Sequence, residues 1–346
     1  MTDKKSLTYA GAGVDIERAD QAKGRIKKLI ESTYNDKVIG GFGQFGGCYS
    51  GKFEGYSDPI TVSSSDGVGT KIKIAIMMKK YDTVGIDIVH HCVNDIAVMG
   101  AEPLFFLDYI GMGRLEPGIV EDIVGGLAYG CKNAGMALIA GETAEMPDIY
   151  SPGEFDLAGF IVGVVDRPKI LDGSTTQEGD LIYGFASNGL HTNGYSLARQ
   201  IVFAHKRWTH DKHFPELDRT IGEALMEPHK LYIDILRKLR DSQGVRGFAH
   251  VTGGGIPGNL VRIIPPGLTF DIDTSVIKTP AIFNILQEAG NVATAEMYRA
   301  FNMGIGLICI VDAKLGGSLF DVLPSEERPV LLGRVVKGDK PKLKFS

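Results

Sequence analysis

The sequence predicts an α/β (α+β) protein of two domains, and three observations carry the prediction. Helical and strand periodicities alternate along the chain, a polar stretch at 166–180 interrupts them near the middle, and glycine-rich turns recur where strands end. A chain of 346 residues is also long for one core. The boundary is expected at the polar stretch, giving an N-terminal domain at 1–168 and a C-terminal domain at 169–346.

After a glycine-spaced lead at 9–15, residues 17–34 place Ala22, Ile26, Leu29, Ile30 and Tyr34 on one helical face. The glycine-dense segment 40–47 follows, and 60–63 alternates like a half-buried strand running into Asp66-Gly67. Over 83–99 the pattern is helical, with Ile86, Val89, Val93, Ile96 and Ala97 on one face and Asp87, His91, Asn94 and Asp95 on the other, a polar face of the kind that is ordinarily solvated. Residues 104–109 read as a strand, 117–131 as a helix started by Pro117, and 136–140 and 155–165 as strands. The second half repeats the mixture. Its strands are expected at 181–186, 248–251 and 305–311, and its helices from Asn193, around 225–239 and after the glycines at 253–255.

Composition narrows the function. A net charge of -5 supplies no basic face for nucleic acid, and the lysines of the tail (Lys337, Lys340, Lys342, Lys344) read as a solvated terminus. Four scattered cysteines without a Cys-x-x-Cys pair suit a reducing compartment. The polar start, Met1 to Lys5, has no signal-peptide core, and the apolar runs at 157–165 and 303–311 are too short to cross a bilayer. A cytoplasmic protein with no membrane partner is expected.

Chemistry-bearing residues collect at the ends of the expected strands. In Asp66-Gly67-Val68-Gly69-Thr70-Lys71, glycines free backbone N–H groups for an anion, Lys71 offers a point charge, and Asp66 can hold a divalent ion on phosphate oxygens. By itself the segment is equally a glycine turn with solvated charges. Asn94-Asp95 lies on a helix whose end is buried by 99–108, making Asp95 a second candidate metal carboxylate. Glu142, with Thr143 beside it, follows the strand at 136–140 as a third. Three oxygen donors of this kind suit magnesium, which keeps waters and bridges phosphates. His90-His91 lacks the spacing that puts two imidazoles on one helical face and is not read as a zinc site.

Two familiar patterns fail on context. Gly46 to Lys52 has Walker-A spacing, but Phe53 stands where a metal-binding hydroxyl is needed. Gly253-Gly254-Gly255-Ile256-Pro257-Gly258 satisfies GxGxxG without a βαβ unit around it, and is better read as N–H groups at a helix start, ready for a phosphate. The segment 187–196, with Asn188, His191, Thr192 and Asn193, is a strand-to-helix turn rich in hydrogen-bonding side chains, where capping is the plainer reading. His250 is either a core histidine or part of a site.

Taken in order, Gly13-Val14-Asp15, Gly40-Gly41-Phe42-Gly43, Asp66 to Lys71, Val93-Asn94-Asp95, the stretches 100–109 and 141–147, 189–196, 250–255 and 301–306 resemble the phosphoribosylformylglycinamidine cyclo-ligase (AIR synthetase) family of purine biosynthesis over nearly the whole chain. The resemblance implies an ATP- and Mg2+-dependent ligase that closes a ring. ATP activates the formyl amide oxygen of formylglycinamidine ribonucleotide, the amidine nitrogen attacks, and phosphate leaves. It also implies an N-terminal domain whose strands form a β-barrel across a homodimer, and a C-terminal α/β sandwich domain. By the same resemblance Asp66, Asp95 and Glu142 would hold magnesium. Gly67, Gly69, Thr70, Lys71, Asn94, Thr143 and Lys27 would contact ATP, with Gly41-Phe42-Gly43 as a mobile cover. Asn188, Thr192, Asn193 and Gly253 to Gly255 would hold the ribonucleotide, with His191 and Lys71 catalytic. Two departures stand out: Gln44, where glycine is common, and Glu227-Pro228-His229, where a small or hydroxylated residue is usual near the proline. The competing readings are a selenophosphate-synthetase-like or thiamine-monophosphate-kinase-like enzyme, and a nucleotide-binding scaffold without turnover.

Overall fold

The computed structural model describes residues 13–345; the polar start and residues 9–12 of the glycine-spaced lead lie outside them. The chain divides into two compact units, one of Met1–Lys52, Ser63–Cys92 and Leu104–Val162, the other of Phe53–Val62, Val93–Pro103 and Gly163–Ser346. Two segments from before residue 168 therefore cluster with the C-terminal half. Hydrogen bonds within the second unit explain why. The Asp166 carboxylate accepts from the N–H of Ser57 at 3.1 Å and of Asp58 at 2.6 Å. Asn94 donates to Lys230 O at 2.8 Å and accepts from Tyr232 N at 2.9 Å, and Glu102 pairs with Arg237 and Arg240.

In the first unit α1 spans Ile16–Glu31 and buries Ala22, Ile26 and Ile30. The Asp15 carboxylate caps it by accepting from the N–H of Glu17 and Arg18. It ends three residues before the expected 34, because the Thr33 hydroxyl turns back to Ile30 O at 2.7 Å and accepts from Leu138 N at 2.9 Å. Two short strands, β1 (Val38–Ile39) and β2 (Cys48–Tyr49), pair antiparallel and close the glycine segment into a loop. Strand β3 covers Pro59–Gly67, longer than expected, and leads through a 3-10 turn at Gly69–Lys71 into α2 (Ile72–Met78).

Helix α3 (Asp82–Ala97) is buried nearly all round, so its polar face, of a kind ordinarily solvated, is instead interior: Asp87 and Asn94 are 0% exposed and His91 4%. It lies against α4 (Pro117–Ala134) at two glycines. A Cβ on Gly85 would fall 2.2 Å from Ile123 O, and one on Gly126 2.1 Å from Asp82 O, so only glycine permits this approach. Strands β4 (Glu102–Met112), β5 (Ala137–Glu145) and β6 (Phe155–Asp166) complete a four-stranded sheet of order β3-β6-β4-β5, with β4 and β5 parallel on either side of α4. On one face of this sheet Phe105, Leu107, Tyr109, Ala158, Phe160 and Val162 remain partly exposed.

In the second unit, β7 (Leu181–Ala186) is followed by α5 (Tyr195–Arg199), which continues as a π-helical turn at Gln200–His205. A hairpin of β8 (His213–Phe214) and β9 (Arg219–Thr220) leads to α6 (Ile221–Leu225), whose start carries a Thr220–Glu223 capping box. The single helix expected around 225–239 is two, α6 and α7 (Ile233–Leu239). Pro228 lacks an N–H and biases Glu227 away from helical angles, so the chain between them is open. Then come β10 (Val245–His250), α8 (Gly255–Leu260), β11 (Leu268–Asp273), α9 (Ala281–Gly290), α10 (Thr294–Ala300), β12 (Ile305–Val311), β13 (Val330–Lys337) and β14 (Lys342–Lys344).

The six-stranded sheet of this unit runs β10-β12-β7-β13-β11-β14, antiparallel except for β11 with β14. All seven residues of β12 are buried, as a near-central strand requires. The lysine tail, expected as a solvated terminus, is exposed: Lys337 ends β13, Lys342 and Lys344 lie on the edge strand β14, and Lys344 pairs with Asp271 at 3.2 Å. Charged side chains on an edge strand discourage further pairing.

Candidate functional site

Each unit carries one of the expected residue sets. In the first, Asp66 ends β3 with its carboxylate 45% exposed; Oδ1 accepts from Gly67 N at 2.7 Å, and Oδ2 lies 2.8 Å from His91 Nε2. Gly67, Gly69 and Thr70 follow in the turn that begins α2. Lys71 is placed otherwise than as a surface cation. Its side chain is 0% exposed and its Nζ lies 2.8 Å from both carboxylate oxygens of Asp87, itself 0% exposed. That buried pair ties the glycine turn to α3, and removing either partner leaves an uncompensated charge inside the unit.

Glu142 and Thr143 sit on β5 opposite Tyr109 and Ile110 of β4, and Glu142 is exposed. The residue before them explains a carboxylate missed from sequence. Gly141 is opposite Asp108, and a Cβ there would lie 2.3 Å from Asp108 Oδ1. Burial, assisted by the charge of Glu142, pushes the Asp108 carboxyl up to about 7. Asp66 and Glu142 lie on the two edge strands, β3 and β5, with β6 and β4 between them. Gly41, Phe42 and Gly43 lie in the loop between β1 and β2, and Lys27 stands exposed on α1 with Glu31 at 3.9 Å.

The second unit joins most of its expected residues through side chains. Asp95 Oδ1 lies 2.8 Å from His250 Nδ1, His250 Nε2 lies 3.0 Å from His229 Nε2, and His229 Nδ1 lies 3.3 Å from Thr192 Oγ1. The His191 ring stacks on His229 with centroids 4.1 Å apart and 23° between planes. His191 takes a left-handed φ of 62°, a conformation uncommon outside glycine that collects at functional sites. Asn193 Nδ2 is 3.5 Å from Thr192 Oγ1, and a Cβ on Gly253 would lie 3.4 Å from Asn193 Oδ1, so the two turns meet there. Gly255 has φ of +61°, and a Cβ on it would fall 1.9 Å from Tyr298 O. Asn259 Nδ2 holds the glycine turn by its carbonyls, at 2.8 Å from Gly255 O and 3.2 Å from Gly253 O.

Neighbours unassigned from sequence fix these turns. Buried Asn302 accepts from Ser187 Oγ and Gly304 N, both at 2.9 Å, and donates to Gly189 O at 2.8 Å. Tyr232 donates to Ala186 O at 2.9 Å, and burial pushes its phenol up, so it stays a donor. Asn188 donates to Pro228 O at 2.9 Å. His229 is the residue least legible beforehand. It follows Pro228 in a stretch that reads as helix, and its only sequence signal is its place in Glu227-Pro228-His229, a tripeptide that departs from the usual pattern near the proline.

The two AIR synthase related protein domains match the chain, the N-terminal model over residues 56–165 and the C-terminal model over 177–346. A phosphoribosylformylglycinamidine cyclo-ligase of Desulfatibacillum aliphaticivorans is 51% identical over 89% of this chain and 88% of that protein. One of Thermodesulfovibrio yellowstonii is 44% identical over 98% of this chain and 99% of that protein. Among solved structures, thiamine-monophosphate kinase from Stenotrophomonas maltophilia aligns with a TM-score of 0.67 at 17% identity over 93% of this chain and 95% of that one. The hydrogenase maturation protein HypE in complex with ATP aligns at 0.63 and 17% over 97% and 89%. These two share the fold. With identity this high over almost its entire length, the chain belongs to the phosphoribosylformylglycinamidine cyclo-ligase family.

Proposed function

We propose that the chain is an ATP-dependent cyclo-ligase that converts 2-formamido-N1-(5-phosphoribosyl)acetamidine into 5-amino-1-(5-phosphoribosyl)imidazole, with ADP and phosphate released, in purine biosynthesis. The observation that carries this is the match to a relative so named over 98% of this chain and 99% of the relative, which leaves neither domain of the activity out.

The chemistry sets the tasks. An amide oxygen leaves poorly. Once it has attacked the γ-phosphorus of ATP and ADP has departed, it leaves as phosphate when the amidine nitrogen closes the ring. Positioning of nucleophile and electrophile then supplies most of the acceleration. We assign ATP to the residues of the first unit. Asp66 and Glu142 are exposed oxygen donors of the hard kind magnesium prefers, and Mg2+ held there would neutralise phosphate charge. The N–H groups of Gly67, Gly69 and Thr70 and the loop at Gly41 to Gly43 suit triphosphate oxygens. Thr143 and Lys27 are assigned as in the resemblance, whereas Asn94 and Asp95 fall in the second unit, Asn94 bonded to Lys230 and Tyr232 and Asp95 facing His250.

The ribonucleotide is assigned to the second unit, where Asn188, Thr192, Asn193 and the turn at Gly253 to Gly255 present polar groups on fixed backbone. His191 is the proposed proton carrier, held by stacking on His229 and by its strained φ. We also propose a homodimer. The alternating, partly exposed apolar residues of β4 and β6 form a sheet face that a second copy would cover, as the barrel implied by the family requires. No helix among the described residues is long and apolar enough to cross a membrane, and the four cysteines are free thiols, in keeping with a proposed cytoplasmic location.

Mixing the protein with ATP, Mg2+ and the amidine ribonucleotide should yield an aminoimidazole detected by diazo coupling, one per ADP formed. ADP formed only with some other acceptor, or no aminoimidazole at all, overturns the reading.

A further inference from the structure

We propose that His191, His229 and His250 form a binding site for a zinc-class transition-metal ion. All three imidazoles are buried, and one nitrogen from each lies within 4.8 Å of the others. A tetrahedral ion with metal–nitrogen bonds of about 2.0–2.1 Å holds its ligand nitrogens roughly 3.3 Å apart. His229 Nε2 and His250 Nε2 are already 3.0 Å apart, so a few tenths of an ångström separate the pair from coordination spacing. His191 completes the set by tilting out of its 23° stack on His229.

What distinguishes this cluster from chance imidazole packing is its outer shell. A ligating histidine characteristically engages a carboxylate or another oxygen with its second ring nitrogen, which fixes the ring and aims the lone pair of the first. His250 does so through Nδ1 to Asp95 Oδ1 at 2.8 Å, and His229 through Nδ1 to Thr192 Oγ1 at 3.3 Å. Both rings therefore turn their Nε2 atoms to the same point. Gly306 leaves room for the His191 ring, since a Cβ on it would lie 2.6 Å from His191 Cε1. Imidazole nitrogens favour zinc, cobalt, nickel or copper over magnesium, which takes oxygen donors. The donor set thus separates two classes of ion within one chain.

Titrating the chelator-treated full-length protein with Co2+ tests the site by a signal independent of turnover. One equivalent should bind with the intense visible bands of tetrahedral cobalt, resist excess Mg2+, and be displaced by Zn2+. His229→Gln should weaken binding by about 100-fold or more, and Thr192→Val by roughly tenfold through the loosened ring. His205→Gln, on an exposed histidine, should change nothing. A pale octahedral spectrum in the wild type overturns the proposal whatever the variants do, as does unchanged affinity in a folded His229→Gln protein. A bound ion also takes His191 from proton transfer, so Zn2+ should inhibit cyclisation reversibly. That consequence alone rests on the function proposed above. Tight tetrahedral cobalt without inhibition would remove the role of His191 and leave the site standing.

Discussion

The two units solve the problem of holding polar groups in opposite ways. In the first, the carboxylates suited to metal stay at the surface, Asp66 45% exposed and Glu142 exposed, while the charges beneath them are interior: Lys71 with Asp87, and Asp108. In the second, the polar side chains are imidazoles and amides, and they are linked one to the next from Asp95 through His250 and His229 to Thr192. Exposed carboxylates remain charged and hydrated until a cation and phosphates arrive. Groups that are neutral or share a proton can be buried at small cost when each is hydrogen-bonded, and burial then fixes their geometry. Charge handling and positioning are thus assigned to different environments.

The contrast can be broken most sharply at Asp95. Asp95→Asn keeps the side-chain shape but removes the charge facing His250, and turnover should fall by about 10³-fold or more while circular dichroism stays unchanged. Near-normal kcat would show that the linked imidazoles position nothing. Next in size is the buried pair. Asp87→Asn should cost about 3–5 kcal/mol of stability, because the interior Lys71 charge loses the carboxylate that faces it. The double change Lys71→Met with Asp87→Leu should recover most of that in a urea titration. If the double variant is stable but inactive toward ATP, Lys71 has a phosphate role beyond its structural one.

A somewhat smaller effect is expected at Asp108. Its folded pKa of about 7 lies above the ordinary 3.8, so the native state holds the proton more tightly than the unfolded chain does. The contribution of Asp108 to stability is therefore fully present below about pH 4, declines as pH rises through about 7, and is absent beyond, a difference of a few kcal/mol at most. Asp108→Asn should flatten that slope, gaining on the wild type in urea midpoint between pH 5 and pH 8. An unchanged slope would place the titration elsewhere. Smallest is Lys27→Met. Its ion pair with Glu31 is solvated, so stability should move by less than about 1 kcal/mol, and a rise in KM for ATP alone would mark it as a nucleotide contact.

Much of the fold was legible because local patterns agree with global ones. The face of Ala22, Ile26 and Ile30, the strand run at 305–311 and the proline-started helix at 117 all appear as expected. Periodicity failed where burial extends to both sides of an element. The polar side of α3 reads as solvent-facing, yet it holds Asp87 and Asn94 because each finds a partner remote in sequence: Lys71 for one, Lys230 and Tyr232 for the other. It also failed at Pro228, where an apolar helical pattern spans a break.

The sequence by itself determined the two-part α/β architecture, the glycine turns at strand ends and the supply of oxygen donors. Those depend on residue type and spacing within a few positions. Only the tertiary structure decided that Lys71 is an interior cation, that Asp108 is held near neutrality, and that three histidines at 191, 229 and 250 meet. Each of those depends on partners 16 to 59 positions away, brought together by sheet pairing and by helices that cross at glycine. A one-dimensional pattern contains no record of which distant residue will desolvate, neutralise or aim a given side chain.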